Sequence, residues 1–133
     1  MLDGLIIGFS ISLSLQNILY CFIGCTLGTM IGVLPGLGPT ATIAMLLTVT
    51  YKLDLISAVI MLSGIYYGAQ YGGTITSVLI NIPGEASSVV TCIDGYKMAL
   101  QGKAGRALGI AAFGSFFAGT CGTLVLSLLA PPL

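Results

Sequence analysis

Leu34-Pro35-Gly36-Leu37-Gly38-Pro39-Thr40 interrupts a run that carries no charge from Asp3 to Lys52. As one helix that run would measure about 72 Å at roughly 1.5 Å per residue, more than twice the roughly 30 Å hydrocarbon thickness of a bilayer. It has to break or fold back, and Pro35 to Pro39 is the place for it. Proline ends the incoming helix, and glycine permits the backbone geometry that restarts the chain. A second stretch, Ile82-Pro83-Gly84-Glu85-Ala86-Ser87, repeats the order aliphatic, Pro, Gly, one residue, small residue, and both lead into hydroxyl-bearing positions. The pair reads as an internal repeat.

Composition identifies the solvent. Charged residues make up 6% of the chain and hydrophobic ones 56%, with a mean hydropathy of +1.09, whereas soluble domains carry roughly 25% charge. Uncharged runs over 4–51, 55–84 and 107–133 alternate with short polar clusters. This is the layout of an all-α polytopic membrane protein whose transmembrane helices carry broken or re-entrant segments at the two Pro-Gly motifs. With 133 residues there is room for three or four segments of about 20 residues, so the chain is expected to work with additional chain. The apolar tail Leu128-Leu129-Ala130-Pro131-Pro132-Leu133 reads as a truncation. No basic segment precedes the first apolar run, which argues against a cleaved secretory signal.

Several function classes are disfavoured. A formal net charge of zero supplies no basic field for nucleic acid. There is no histidine, and Cys21, Cys25, Cys92 and Cys121 lack CxxC spacing, so neither a metal site nor disulfides are expected. No serine or cysteine has a recognisable activating partner, so no catalytic residues are assigned and an enzyme is not expected.

Along the chain, residues 3–14 form an apolar, serine-bearing lead-in, and Leu15 to Leu34 reads as a transmembrane helix. Gly24, Gly28 and Gly32, continued by Gly36, strip side chains from one stripe of that helix. In lipid such a stripe lets another backbone approach. Thr40 to Thr50 predicts a helix too short to span, Tyr51 to Asp54 a polar turn, and Leu55 to Ile82 a long uncharged segment. That segment carries a second ladder, Gly64, Gly68 and Gly72, flanked by Tyr66, Tyr67, Gln70 and Tyr71, which are expected to face protein or water. Pro83 to Arg106 is expected to be the main extramembrane loop, with Asp94-Gly95 as a turn signal. Its Lys97, Lys103 and Arg106 favour the cytoplasm for the later half. Leu108 to Leu129 is a final span, with small residues at Gly109, Gly114, Ala118 and Gly122 that suit close packing.

The helix starts after each break aim free amides at the gap, and their partial positive charge suits an anion such as a carboxylate. The residues expected to bind substrate are Pro35, Gly36, Gly38, Thr40, Thr42, Asn81, Pro83, Gly84, Ser87 and Ser88. Carbonyls that end the incoming helices can hold a sodium ion, and Glu85 can carry a coupling proton or ligate a cation. Gln70 and Asn81 are read either as ligand contacts or as bridges between helices. Both Pro-Gly pairs are alternatively simple loop turns at the membrane faces.

Three long motifs in order give the chain a resemblance: Gly32-Val33-Leu34-Pro35-Gly36-Leu37-Gly38-Pro39-Thr40-Ala41-Thr42, then Gly64-Ile65-Tyr66-Tyr67-Gly68-Ala69-Gln70-Tyr71-Gly72-Gly73, then Asn81-Ile82-Pro83-Gly84-Glu85-Ala86-Ser87-Ser88 with Asp94-Gly95-Tyr96. From about Gly24 to Pro132 it resembles the TctA-type large membrane subunit of the tripartite tricarboxylate transporters. The resemblance implies a secondary transporter of the bacterial inner membrane, multi-pass, moving a tricarboxylate or related carboxylate by symport with sodium or protons, with no other cofactor. It also implies a small membrane subunit and a periplasmic solute-binding protein as partners. The family's chain is several times longer, so residues 1–133 correspond to the N-terminal part of a single transporter membrane domain. Thr48 and Lys97 stand where the family commonly has proline. The alternative reading is a noncatalytic membrane assembly module, or a nonfunctional remnant of a transporter.

Overall fold

The computed structural model describes residues 2–129 and, within them, contains helices and no strand. The helices are α1 (Leu2–Ser12), α2 (Leu15–Gly32), α3 (Pro39–Thr50), α4 (Leu55–Ile80), α5 (Val89–Leu100) and α6 (Ala104–Leu129), with one 3-10 turn, Ala86–Ser88, ahead of α5. Local chemistry fixes several boundaries. The Ser14 hydroxyl accepts from the Asn17 amide at 3.4 Å and the Asp54 carboxylate from the Ser57 amide at 3.1 Å, which satisfies donors that a helix start leaves over. Pro39 opens α3 in the first turn, where its missing N–H loses no helical bond. Asn81 closes α4 in the left-handed region, at φ 57°, a conformation that asparagine tolerates better than most residues.

The molecule is organised about the seam between α2 and α4. A Cβ placed on Gly24 would strike the Met61 carbonyl oxygen, one on Gly28 the Ile65 carbonyl oxygen, and one on Gly32 would lie 2.5 Å from the Ala69 Cα. The numbers rise together on both helices, so α2 and α4 run parallel. The same contacts recur with the helices exchanged: Gly64 against the Cys21 carbonyl oxygen at 2.6 Å, Gly68 against that of Cys25, and Gly72 against that of Thr29 at 2.7 Å. Raising each α2 number by 40 converts one set into the other, Gly24 to Gly64 and Cys21 to Met61 included. The seam is therefore a local two-fold arrangement of two similar helices offset by 40 residues, a different register from that of the two Pro-Gly stretches, whose prolines lie 48 residues apart. Each helix lends its glycine stripe to the other's backbone, and Met61, Ile65 and Ala69 are buried along it. A buried Asn17 ties the lower end, donating from Nδ2 to the Ile11 carbonyl at 2.9 Å and accepting from the Ser57 hydroxyl at 2.7 Å.

Parallel neighbours need a return connection, and α3 supplies it. At about 1.5 Å per residue its 12 residues reach about 18 Å, and the turns on either side make up the rest of the way back. Beyond Gly72, α4 continues for about two further turns to Ile80. The chain then reverses at Asn81 and comes back along α4.

The structure corrects the sequence reading at several points. The segment from Pro83 to Arg106 is not a long loop: α5 occupies Val89–Leu100 and α6 begins at Ala104. Asp94-Gly95 is not a turn but the middle of α5, where a buried Gly95 packs on the Val78 side chain. Gly36 does not continue the first ladder, because α2 stops at Gly32 and Gly36 sits in the turn at φ +86°. The small residues of α6 are not a packed seam: a Cβ on Gly109, Gly114 or Gly122 would meet nothing within 4 Å. The tail from residue 130 lies outside the described residues.

By length and composition α2 and α6 are each apolar enough to cross a membrane. On α6 only Ala107 is buried, while Phe113, Phe116, Phe117 and Leu128 stand outward. Such apolar exteriors suit hydrocarbon. The longer α4 is uncharged but rich in glycine, tyrosine, serine and threonine, and it carries half of the buried residues among those described.

Replacing Gly28 or Gly68 with leucine is expected to destabilise the protein by about 3 kcal/mol, since a side chain there meets backbone that has no room to yield. Gly109→Ala, with open space around it inside α6, should not destabilise and is expected to add about 0.5 kcal/mol through the better helix propensity of alanine. Thermal unfolding of the detergent-solubilised protein checks both.

Candidate functional site

The two Pro-Gly stretches, remote in sequence, converge. After α4 reverses at Asn81, residues 82–85 run back until Gly84 lies on Gly73: a Cβ on Gly73 would sit 3.3 Å from the Gly84 Cα, and one on Gly84 would strike the Gly73 Cα. From the other side Gly38, the residue just ahead of α3, brings its Cβ position to 4.0 Å from the Gly84 carbonyl oxygen. The extra turns of α4 explain this convergence. Gly72 stands far ahead of Pro83, whereas Gly32 stands just ahead of Pro35, so the second break reaches the level of the first only by doubling back.

The expected binding residues divide into groups. Gly38 and Gly84 form the junction itself. Thr42 is fully buried and its hydroxyl donates to the Gly38 carbonyl at 3.2 Å, bracing the start of α3. Pro35, Gly36 and Thr40 are exposed beside the first turn, and Asn81 and Pro83 are exposed on the second. Gly38 has no side chain to cap α3, so no side chain takes up its leading amides. Ser88 is buried and bonded on both sides, donating to the Glu85 carbonyl at 2.9 Å and accepting from the Glu85 amide at 3.2 Å. Ser87 is exposed, and its hydroxyl donates to Glu85 Oε1 at 2.9 Å.

Beside the junction opens a polar cleft of about 240 Å³. Tyr67, Gln70, Tyr71 and Thr74 of α4 form one wall, Glu85, Ser87 and Ser88 of the second break another, and Thr91 of α5 and Ser115 of α6 close it. Of the expected binding residues, only Ser87 and Ser88 line this cleft. Of the α4 wall, Tyr67, Gln70 and Tyr71 were expected to face protein or water, whereas Thr74 joins them only in the structure, at helical spacing, and Tyr66 does not line the cleft. Thr91 and Ser115 come from elements far along the chain, and no sequence signal placed them here. The Tyr71 hydroxyl donates to the Leu108 carbonyl at 3.3 Å, which joins α4 to α6 across the cleft. The Gln70 amide donates to the Tyr66 hydroxyl at 3.0 Å.

This geometry, a pair of apposed breaks beside a polar cleft between apolar helices, accompanies a match of residues 18–133 to the model of the tripartite tricarboxylate transporter TctA family. The chain belongs to that family. TctA proteins are membrane components of transporters and not enzymes. Over all 133 residues the chain is 59% identical to "Uncharacterized 52.8 kDa protein in TAR-I ttuC' 3'region" of Agrobacterium vitis. It covers 26% of that relative, so the chain spans about a quarter of the length of the curated protein it matches. No solved structure matches.

Two substitutions test the junction. Gly84→Ala is expected to force the second break off α4 and destabilise the protein by about 2 kcal/mol. Gly36→Ala meets no neighbour but is held at positive φ, and should cost about 1 kcal/mol. Proteolytic susceptibility of the 81–88 segment separates them, rising for Gly84→Ala and staying unchanged for Gly36→Ala.

Proposed function

We propose that this chain is the N-terminal portion of the large membrane subunit of a tripartite carboxylate transporter in the bacterial inner membrane. In this reading the two Pro-Gly breaks lie at bilayer depth as re-entrant segments, and their junction handles the carboxylate. A small membrane subunit completes the membrane part, a periplasmic solute-binding protein delivers the substrate, and a sodium or proton gradient drives symport.

The observation that carries the reading is that Gly84 of the second break lies on Gly73 of α4 and carries its carbonyl beside Gly38 of the first. Broken backbone is tolerated at membrane depth only where it is buried in protein or lines a wet cavity, and Gly84 is buried against Gly73 beside a cleft lined by polar side chains. Transporters commonly place discontinuous helices at their substrate sites, where helix starts meet anionic groups without a buried cation. The first turn of α3 has that character, since Pro39 has no N–H and Gly38 offers no side chain, which leaves the Thr40 and Ala41 amides without a side-chain cap.

The experiment is uptake by the complete transporter, reconstituted with its small subunit and binding protein and offered radiolabelled di- and tricarboxylates in turn. Gly84→Val is expected to reduce uptake of the preferred acid at least about tenfold, equivalent to about 1.4 kcal/mol, with membrane insertion preserved. Unchanged uptake at normal expression would instead favour an assembly role for these helices.

A further inference from the structure

The two ends of the molecule are charged differently. Gly84 lies on Gly73 and Gly95 packs on Val78, so α5 climbs α4, whereas the Leu108 carbonyl meets Tyr71 and Gly119 lies beside Tyr67, so α6 descends it. The corner from Lys97 to Arg106 therefore projects at the end where α4 stops. It carries three of the four basic residues of the chain, Lys97, Lys103 and Arg106, all of them exposed. The fourth, Lys52, stands at the opposite end with Asp54, in the turn ahead of α4. Between α5 and α6 lie residues 101–103, and their own backbone fixes the turn: the Gly102 amide donates to the Ala99 carbonyl and the Lys103 amide to the Met98 carbonyl, each at 2.9 Å, with Gly102 at φ +73°. So short a turn keeps the three cations together. Lys103 Nζ meets a neutral acceptor, Gln101 Oε1 at 3.4 Å, and the acid closest in sequence is the exposed Asp94, about one helical turn before Lys97.

We propose that this corner is a docking surface for anionic phospholipid of the surrounding bilayer, with the lipid phosphate held by Lys97, Lys103 and Arg106 and the acyl chains lying along the apolar exterior of α6. Charge complementarity selects the headgroup. Three positive charges stand here against the carboxylate of Asp94, an excess that a net anionic lipid balances and a zwitterionic one does not. The guanidinium fork of Arg106 suits two phosphate oxygens, and the two lysines act as point charges beside it. Position selects a lipid over free phosphate. Ile110 and Phe113 are exposed about one and two turns below Arg106, and the exposed Leu100 ends α5, so apolar surface begins directly beside the cations. Lysine and arginine stems lie along such surface while their heads reach the phosphate level. Basic clusters at the ends of membrane helices are where anionic headgroups are recognised. The binding requires that α6 face lipid and does not rest on the carboxylate reading.

Equilibrium binding of radiolabelled phosphatidylglycerol to the complete purified transporter in an uncharged detergent tests the corner. Wild-type protein is expected to bind it saturably and to hold phosphatidylcholine at least about tenfold more weakly. The combined Lys97→Gln, Lys103→Gln and Arg106→Gln variant, altered at exposed positions alone, should lose at least about tenfold in phosphatidylglycerol affinity. Lys52→Gln, at the opposite end, should leave it unchanged. Asp94→Asn removes the carboxylate that competes for the same cations and should strengthen binding severalfold, a gain that a misfolded protein would not show. Equal retention of the two lipids, or unchanged phosphatidylglycerol binding in the triple variant, overturns the proposal. So does displacement of the lipid by inorganic phosphate at matched concentration, which would make the corner a site for a free anion. A transporter that moves no carboxylate yet binds phosphatidylglycerol through these three residues sustains this inference and counts against the transport reading alone.

Discussion

Close approach of the α2 and α4 backbones is the constraint on which the remaining structure depends. Hydrophobic exclusion does not drive helices together in hydrocarbon, and association relies on packing and hydrogen bonding. Glycine at every fourth position removes the side chains that would keep the two backbones apart, and it does so on both helices at once. Once these helices lie parallel and in contact, the chain between them must travel back within one turn, a short α3 and another turn. The first Pro-Gly stretch is what makes that reversal possible.

The same seam places the cleft. Because α4 outlasts α2, its upper turns have no α2 partner and take the returning 81–88 segment, α5 and part of α6 instead. Gly73 and Gly84 let that segment lie directly on α4, as the ladder glycines do for α2. Buried hydroxyls then brace the arrangement: Thr76 and Ser77 both donate to the Gly73 carbonyl, and Ser88 locks the backbone of Glu85. Every buried side-chain polar atom among the described residues has a hydrogen-bond partner. The polar groups facing the cleft include the Glu85 carboxylate, the Gln70 amide and the hydroxyls of Tyr67, Thr91 and Ser115, while the Tyr71, Thr74 and Ser87 hydroxyls donate to protein acceptors.

Much of the architecture was legible because the deciding residues are conformational. Proline and glycine act on their own backbone, so the positions of both breaks, the short α3 and the long uncharged α4 follow from local sequence. Reading 83–106 as loop failed because charges and an Asp-Gly pair were weighed as turn signals. In the folded chain Gly95 is needed where α5 packs on Val78, and Asp94, Lys97 and Arg106 are exposed on helices rather than in a loop. The small residues of α6 looked like those of α2 and α4, yet only the latter meet a backbone. A stripe permits close approach without specifying a partner.

The sequence by itself determined the solvent, the helical class, where the chain must leave the helix and the presence of two similar ladders, because these depend on composition and on local backbone restrictions. Only the tertiary structure decided that the ladders face each other in parallel, that the second break lies on Gly73 with Gly84 beside Gly38 of the first, and that Glu85 shares a cleft with Thr91 and Ser115. Those outcomes depend on the difference in length between α2 and α4 and on the path of the returning chain. They are relations between distant segments, which no local pattern encodes.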